Sequence, residues 1–312
     1  MKKLLSMTMI IFILGTILTG CATKEVSESN DNKELIKIGV TQIVEHPSLD
    51  TIRDGIYKAL EDNGYIDGEN VELDFLNAQG DMQNVSAIAT EFENEKKDVV
   101  VAITTPSAQA IFNTVKSAPI VYSAVTDPKS AGLEGDNITG VSDMTPVRKQ
   151  LELLKEYFPQ AKRVGMIFDS GEVNSQVQLD LAKEVAKDLG LEIVESGITS
   201  TNEIAEATEY ILSQVDAIYA QKDNTLASAF PIVVEKADNK NIPIIGAVTD
   251  FVDAGAVATD GPSEYQIGYE TGQMVVRILK GDKVLDIEPS LVNETKLYIN
   301  EEAAKKYGVE IN

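Results

Sequence analysis

Val99-Val-Val-Ala-Ile-Thr-Thr-Pro-Ser107 is the stretch that decides the fold. Val99 to Ile103 is an unbroken apolar run rich in β-branched residues, which suits a strand covered on both faces, as in a parallel sheet wound by helices. Thr105 is placed as a helix cap and Pro106 suits the first helical position, so the strand runs directly into a helix. Working outward, Ile36 to Thr41 and Val71 to Leu76 read as strands, and Ile120 to Val125 as another. Ser48 to Asn63, Met82 to Lys96 and Pro106 to Lys116 read as the helices between them. Ile52, Ile56, Ala59 and Leu60 form the apolar stripe of the first helix, and Asn63-Gly64 ends it.

The same alternation restarts after Thr145. Helices are expected to Phe158, over Asn174 to Leu189, Thr201 to Gln214 with a Ser200/Glu203 capping box, and Thr225 to Asn239. Strands are expected at Arg163 to Phe168, Leu191 to Glu195, Ala217 to Ala220 and Ile244 to Val248. Two successive βαβ series predict an α/β protein of two doubly wound lobes with parallel sheets and a ligand cleft between them. Thr126 to Thr145, rich in Gly, Asp and Asn, reads as the first crossover. A helix from Glu264 to Lys280 and a strand from Leu291 to Asn300 return to the lobes. The expected N-terminal lobe is 34–143 plus about 254–284, and the C-terminal lobe 144–253 plus about 285–312.

Lys2 and Lys3 precede a mostly apolar run from Leu4 to Leu18, the pattern of a signal peptide over residues 1–20. Leu18-Thr19-Gly20-Cys21 resembles the lipobox of bacterial lipoproteins, which makes Cys21 the expected lipidation site and 21–33, with almost nothing to bury, a flexible tether. The expected location is extracytoplasmic, at the cell surface, through a lipid anchor. A single cysteine excludes an internal disulfide and Cys-rich zinc sites, and His46 is the only histidine, so triad chemistry would have to pass through it. No nucleotide-binding glycine motif, nucleophile elbow or His-Glu-x-x-His occurs, and no metal or cofactor site is visible. A formal net charge of -23 opposes nucleic acid. The expectation is a protein without catalysis.

In open sheets of this type ligands bind beyond the carboxyl ends of the strands. That rule selects the turns at 42–48, 104–107, 123–127, 169–174, 221–224 and 249–251, all polar at their tips.

At these turns the chain resembles the ABC-transporter substrate-binding lipoproteins of the tryptophan/tyrosine type. The resemblance is carried by Gln42-Ile-Val-Glu-His-Pro-Ser-Leu-Asp50, Thr105-Pro-Ser-Ala-Gln109, Val125-Thr-Asp-Pro-Lys-Ser-Ala-Gly-Leu133, Asn137-Ile-Thr-Gly-Val-Ser-Asp143 and Asp216-Ala-Ile-Tyr-Ala-Gln-Lys-Asp-Asn224. It implies a two-lobed periplasmic-binding-protein fold, an aromatic amino acid as ligand, and an ABC permease with its ATPase as partners of a monomer. A surface adhesion protein on the same fold is the competing reading.

An amino-acid ligand needs partners for carboxylate, ammonium and side chain. No arginine lies on a cleft turn, so the candidates for the carboxylate are backbone N–H groups near Ser107 and Ala108 with the Ser107 hydroxyl, at a helix N-terminus. Thr105 there reads equally as a plain cap. Asp250 leads the candidates for the ammonium, with Asp223 second, and Asp127 equally a turn-former. Thr126 shares the last of these turns, and Asn174 reads as ligand contact or N-cap. Without tryptophan, Phe251 is the leading candidate for side-chain stacking, and Gln42 and His46 for a polar atom on the ligand ring.

Overall fold

The structure is a computed structural model and describes residues 35–310. The expected signal peptide, Cys21 and tether lie outside the described residues. The first half contains β1 (Ile36–Gln42), α1 (Pro47–Asp62), β2 (Val71–Asn77), α2 (Met82–Glu95), β3 (Val99–Ile103), α3 (Thr105–Thr114), β4 (Ile120–Val125) and β5 (Ile138–Ser142). Next come α4 (Val147–Tyr157), β6 (Arg163–Asp169), α5 (Val173–Leu189), β7 (Glu192–Ile198), α6 (Ile204–Leu212), β8 (Ala217–Ala220), α7 (Asn224–Ser228), α8 (Phe230–Lys240), β9 (Ile244–Gly246) and α9 (Thr249–Asp253). The remainder is β10 (Ala258–Pro262), α10 (Glu264–Leu279), β11 (Ser290–Leu291), β12 (Thr295–Ile299) and α11 (Glu301–Lys306).

These strands form two six-stranded sheets, β11-β5-β4-β3-β1-β2 and β12-β10-β9-β8-β6-β7. The first sheet is parallel throughout, and the second is parallel except for the antiparallel edge strand β12. Two doubly wound α/β lobes are therefore present, as the periodicity predicts. Every residue of β3 and of β4 is buried, which is why β3 reads as an unbroken apolar run and β4 as one broken only by Ser123. In each sheet the order reverses beside the first strand, at β1 and at β6, and the turns leaving those strands and their neighbours open toward the other lobe.

The crossovers fall in different places from those expected. β5 lies inside the supposed linker and pairs with β4, so the first crossing narrows to 143–146. Ala258–Pro262, expected in the N-terminal lobe, joins the second sheet through β9 and β12. Ser290–Leu291, expected in the C-terminal lobe, joins the first sheet beside β5. The chain thus crosses a second time at Ser263 and a third at 292–294. The single helix expected over Thr225 to Asn239 is two, because Pro231 starts α8 afresh. In place of the Ser200 cap, Glu203 reaches back to the Thr199 N–H at 3.0 Å.

α10 crosses from the second lobe to pack on α1 of the first with almost no space between backbones. A Cβ on Gly268 would stand 1.9 Å from the Ile52 carbonyl oxygen, and one on Gly55 would stand 2.4 Å from that of Tyr265. No helix among the described residues is long and apolar enough to cross a membrane.

Candidate functional site

Between the lobes lies a narrow cavity of about 60 Å³. Val44, His46, Ser48, Leu49 and Ile52 line it from the turn after β1 and the start of α1, with Thr104 and Thr105 after β3. The second lobe supplies Asn174, Lys222, Asn224, Ala227, Val248 and Phe251.

The walls differ in character. Phe251 stacks on Phe230 with ring centroids 4.1 Å apart and meets His46 edge-on at 6.1 Å. Phe251 and His46, with Val44, Leu49, Ile52 and Val248, make the apolar, aromatic part of the lining, and Phe230 backs Phe251 from behind. A second group is ionic. Lys222 Nζ bonds Asp143 Oδ2 at 2.9 Å, both nearly buried, and the Thr126 hydroxyl reaches Asp143 Oδ1 at 3.5 Å. Burial holds the Glu264 carboxyl above its ordinary range against the opposing pull of Lys222, and Asp250 and Asp143 add to the rise. Asp143 and Glu264 set two carboxyl groups against the one ammonium of Lys222.

Three buried polar atoms on cavity residues have no partner: Thr104 Oγ1, Thr105 Oγ1 and Asn174 Oδ1. The first two belong to the opening of α3, where the N–H groups of the first turn lack intrahelical acceptors. Thr104 is the N-cap residue and makes no side-chain cap bond; it sits at φ 81°, a setting that costs a β-branched residue on the order of 1–3 kcal/mol. Ala124 beside it on β4, φ 54°, adjoins the register shift between Ser123 and Val125 and also lines the cavity. Two of the five non-glycine residues with positive φ among the described residues, Thr104 and Ala124, thus lie at the cavity.

Of the residues expected from the sequence, His46, Thr105, Thr126, Asn174, Asp223 and Phe251 line the cavity, whereas Gln42, Ser107, Asp127 and Asp250 do not. Gln42 is wholly buried and braces the turn after β1, bonding the Val44 carbonyl at 2.9 Å and Asp50 at 3.1 Å. Ser107 is buried inside α3 with its hydroxyl unpaired. Asp127 accepts from the N–H groups of Lys129 and Ser130 and from the Ser130 hydroxyl, so it is the turn-former. Asp250 accepts from the Ser48 hydroxyl, a bond that joins α9 to α1 across the cleft. Thr105 is the first residue of α3 and not its cap. Asn174 is likewise inside α5, where Glu172 takes the cap position.

Asp223 lines the cavity with its oxygens already occupied. It caps α7 through Leu226 N–H at 2.7 Å and accepts from Asp169 N–H at 2.6 Å and Ser175 Oγ at 2.7 Å. Glu172 stands beside it, held by the Asn174 and Asn224 side-chain amides at 2.8 Å each. Burial, with the neighbouring Asp223 carboxylate, pushes Glu172 up to about 8.

The sequence reading missed Thr104, Ser48, Asp143, Lys222 and Glu264. Ser48 and Lys222 sit within turns already selected by the carboxyl-end rule. Asp143 and Glu264 flank crossings, so only the correct crossover positions would have marked them.

The model of the ABC transporter substrate binding protein family matches residues 37–312. The chain belongs to that family. This substrate-binding protein is 41% identical over 317 residues to the tyrosine-binding protein of Clostridioides difficile strain R20291, covering 97% of this chain and 92% of that one. It is 38% identical to the ABC domain in complex with L-Trp from Streptococcus pneumonia, with a TM-score of 0.86 over 89% of this chain and 96% of that one. Against the ligand-free, open structure of a substrate-binding protein with adhesive properties from Clostridium difficile, identity is 44% over the same shares and the TM-score falls to 0.68. The more similar sequence superposes less well, so the lobes of this substrate-binding protein are set as in the L-Trp complex. As a family member it is an extracytoplasmic solute receptor of an ABC transporter and not an enzyme.

Proposed function

We propose that this receptor binds an aromatic amino acid, tyrosine, tryptophan or phenylalanine, by closing its lobes on it, and delivers it to an ABC permease while a lipid on Cys21 holds it at the membrane. The observation that carries the reading is the set of unpaired polar atoms, Thr104 Oγ1, Thr105 Oγ1 and Asn174 Oδ1, contributed by both lobes to one cavity with an aromatic wall. Buried polar groups are normally paired, so a cavity lined by unpaired ones is completed by its ligand. The opening of α3 with its threonine hydroxyls takes the carboxylate. Asp143 and Glu264 supply the excess negative charge that an ammonium neutralises, and Asn174 Oδ1 is an additional acceptor. The ligand ring lies against Phe251. Kinship with a tyrosine-binding protein and with an L-Trp complex supports the same class.

Isothermal titration of the protein with each of the twenty amino acids tests this. Saturable binding confined to aromatic ones is the expected result, and none with any of them overturns the reading. Asn174→Ala is expected to weaken binding roughly tenfold through the lost ligand bond. A second reading, adhesion, is favoured by the adhesive properties of the Clostridium difficile relative. It predicts attachment of the purified protein to cell surfaces that saturating amino acid does not alter.

A further inference from the structure

His46 is the N-cap residue of α1, in extended backbone, and its Nδ1 accepts the Ser48 N–H at 3.3 Å. A ring nitrogen that accepts an N–H carries no proton, so the single proton of the neutral imidazole sits on Nε2. Burial lowers the affinity of this ring for a second proton, and Asp250 and Asp50 only partly offset that. Among the described residues Nε2 has no hydrogen-bond partner within the protein. His46, which lines the cavity, therefore carries one free ring donor and no free ring acceptor.

The position of the ring says which part of a ligand meets that donor. His46 meets Phe251 edge-on and shares the cavity lining with the apolar Val44 and Leu49, where the proposed reading places the aromatic side chain. Its other neighbour is Asp250, 4.0 Å from Nδ1, whose negative charge opposes a ligand carboxylate beside the ring. The three candidate ligands differ at that end. A phenol oxygen accepts a hydrogen bond, an indole N–H only donates, and a phenyl ring does neither. A site whose polar group stays unpaired discriminates against the ligand that leaves it so.

Resting on the aromatic-amino-acid reading, we propose that His46 is the specificity-determining residue and selects tyrosine, its Nε2–H donating to the phenol oxygen. The test is calorimetry of the full chain with tyrosine, phenylalanine and tryptophan, repeated on His46→Asn and His46→Ser. Both substitutions keep a side-chain oxygen to cap α1 while withdrawing the Nε2 donor. In the parent protein tyrosine is expected to bind about tenfold more tightly than phenylalanine, and tryptophan to be weaker than tyrosine. In either variant the tyrosine advantage over phenylalanine is expected to shrink to about twofold or less, on top of any loss of wall contact that both ligands share. An equal fall for tyrosine and phenylalanine, which leaves the tyrosine advantage intact, overturns the proposal. Equal affinities for the two in the parent protein also overturn it and leave the aromatic reading intact. Absence of binding by all three overturns both.

Discussion

At the scale of single residues, the second lobe keeps a carboxyl, Glu172, whose proton affinity is raised by burial, beside Asp223. A carboxyl whose folded value of about 8 lies above the ordinary 4.5 binds more protons folded than unfolded. The contribution of Glu172 to stability is thus fully present below about 4.5 and is lost as pH rises toward about 8. Thermal melts across that window are expected to show a declining midpoint, with a shallower decline in Glu172→Gln; parallel slopes in the two proteins would contradict this. Asp223→Ala is expected to destabilise the protein by about 3 kcal/mol in urea titrations, since it strands the donors of Asp169, Leu226 and Ser175. The sequence showed where such residues sit but not what they bond. Polar tips after strands pointed to His46, Thr105, Thr126, Asn174 and Phe251. The bond of Asp250 to Ser48 was not legible, because the two are 202 residues apart in the chain. The strain at Thr104 has no signature in residue type, since threonine is a poor choice for φ 81°.

At the scale of elements, α1 presents His46 and Ser48 to the cavity, and its position is set by α10. Gly268→Ala would drive a methyl group into the Ile52 carbonyl. The expected outcome is a loss of about 1–3 kcal/mol in chemical denaturation together with weaker ligand binding, as the start of α1 moves off the cavity. Unaltered denaturation and binding would mean that the two helices part without consequence. The helices and buried strands of the first half were legible because β3 lacks any polar residue, β4 carries one buried serine in an otherwise apolar and aromatic run, and α1 keeps a helical stripe. β5 was not, because Ile138-Thr-Gly-Val-Ser142 is a five-residue strand set among turn-forming residues and is defined by pairing to β4 and β11. β11 and β12 read as one strand since only two to five residues of each are paired, and nothing local says that they belong to different sheets.

For the whole molecule, the bond from Ser48 to Asp250 is a latch that adds to lobe closure whatever the ligand. Asp250→Asn is expected to weaken tyrosine, tryptophan and phenylalanine by one common factor of roughly ten, through loss of a charge-assisted bond. Small-angle scattering of the same variant without ligand is expected to give a larger radius of gyration than the parent. Unchanged affinities and radius would assign the latch no role. Two α/β lobes were readable from the repeated alternation of strands and helices, while their borders were not, because sheet membership of β10 and β11 depends on contacts far apart in the chain. The three crossings, at 143–146, at Ser263 and at 292–294, carry a mechanical meaning. Three connections in parallel resist shear and twist as a row of pins resists them in a door, leaving one angle free. Occupancy of the cavity is then translated into a single geometric coordinate, which a membrane partner can sense on the outer surfaces of the lobes without ever touching the solute inside.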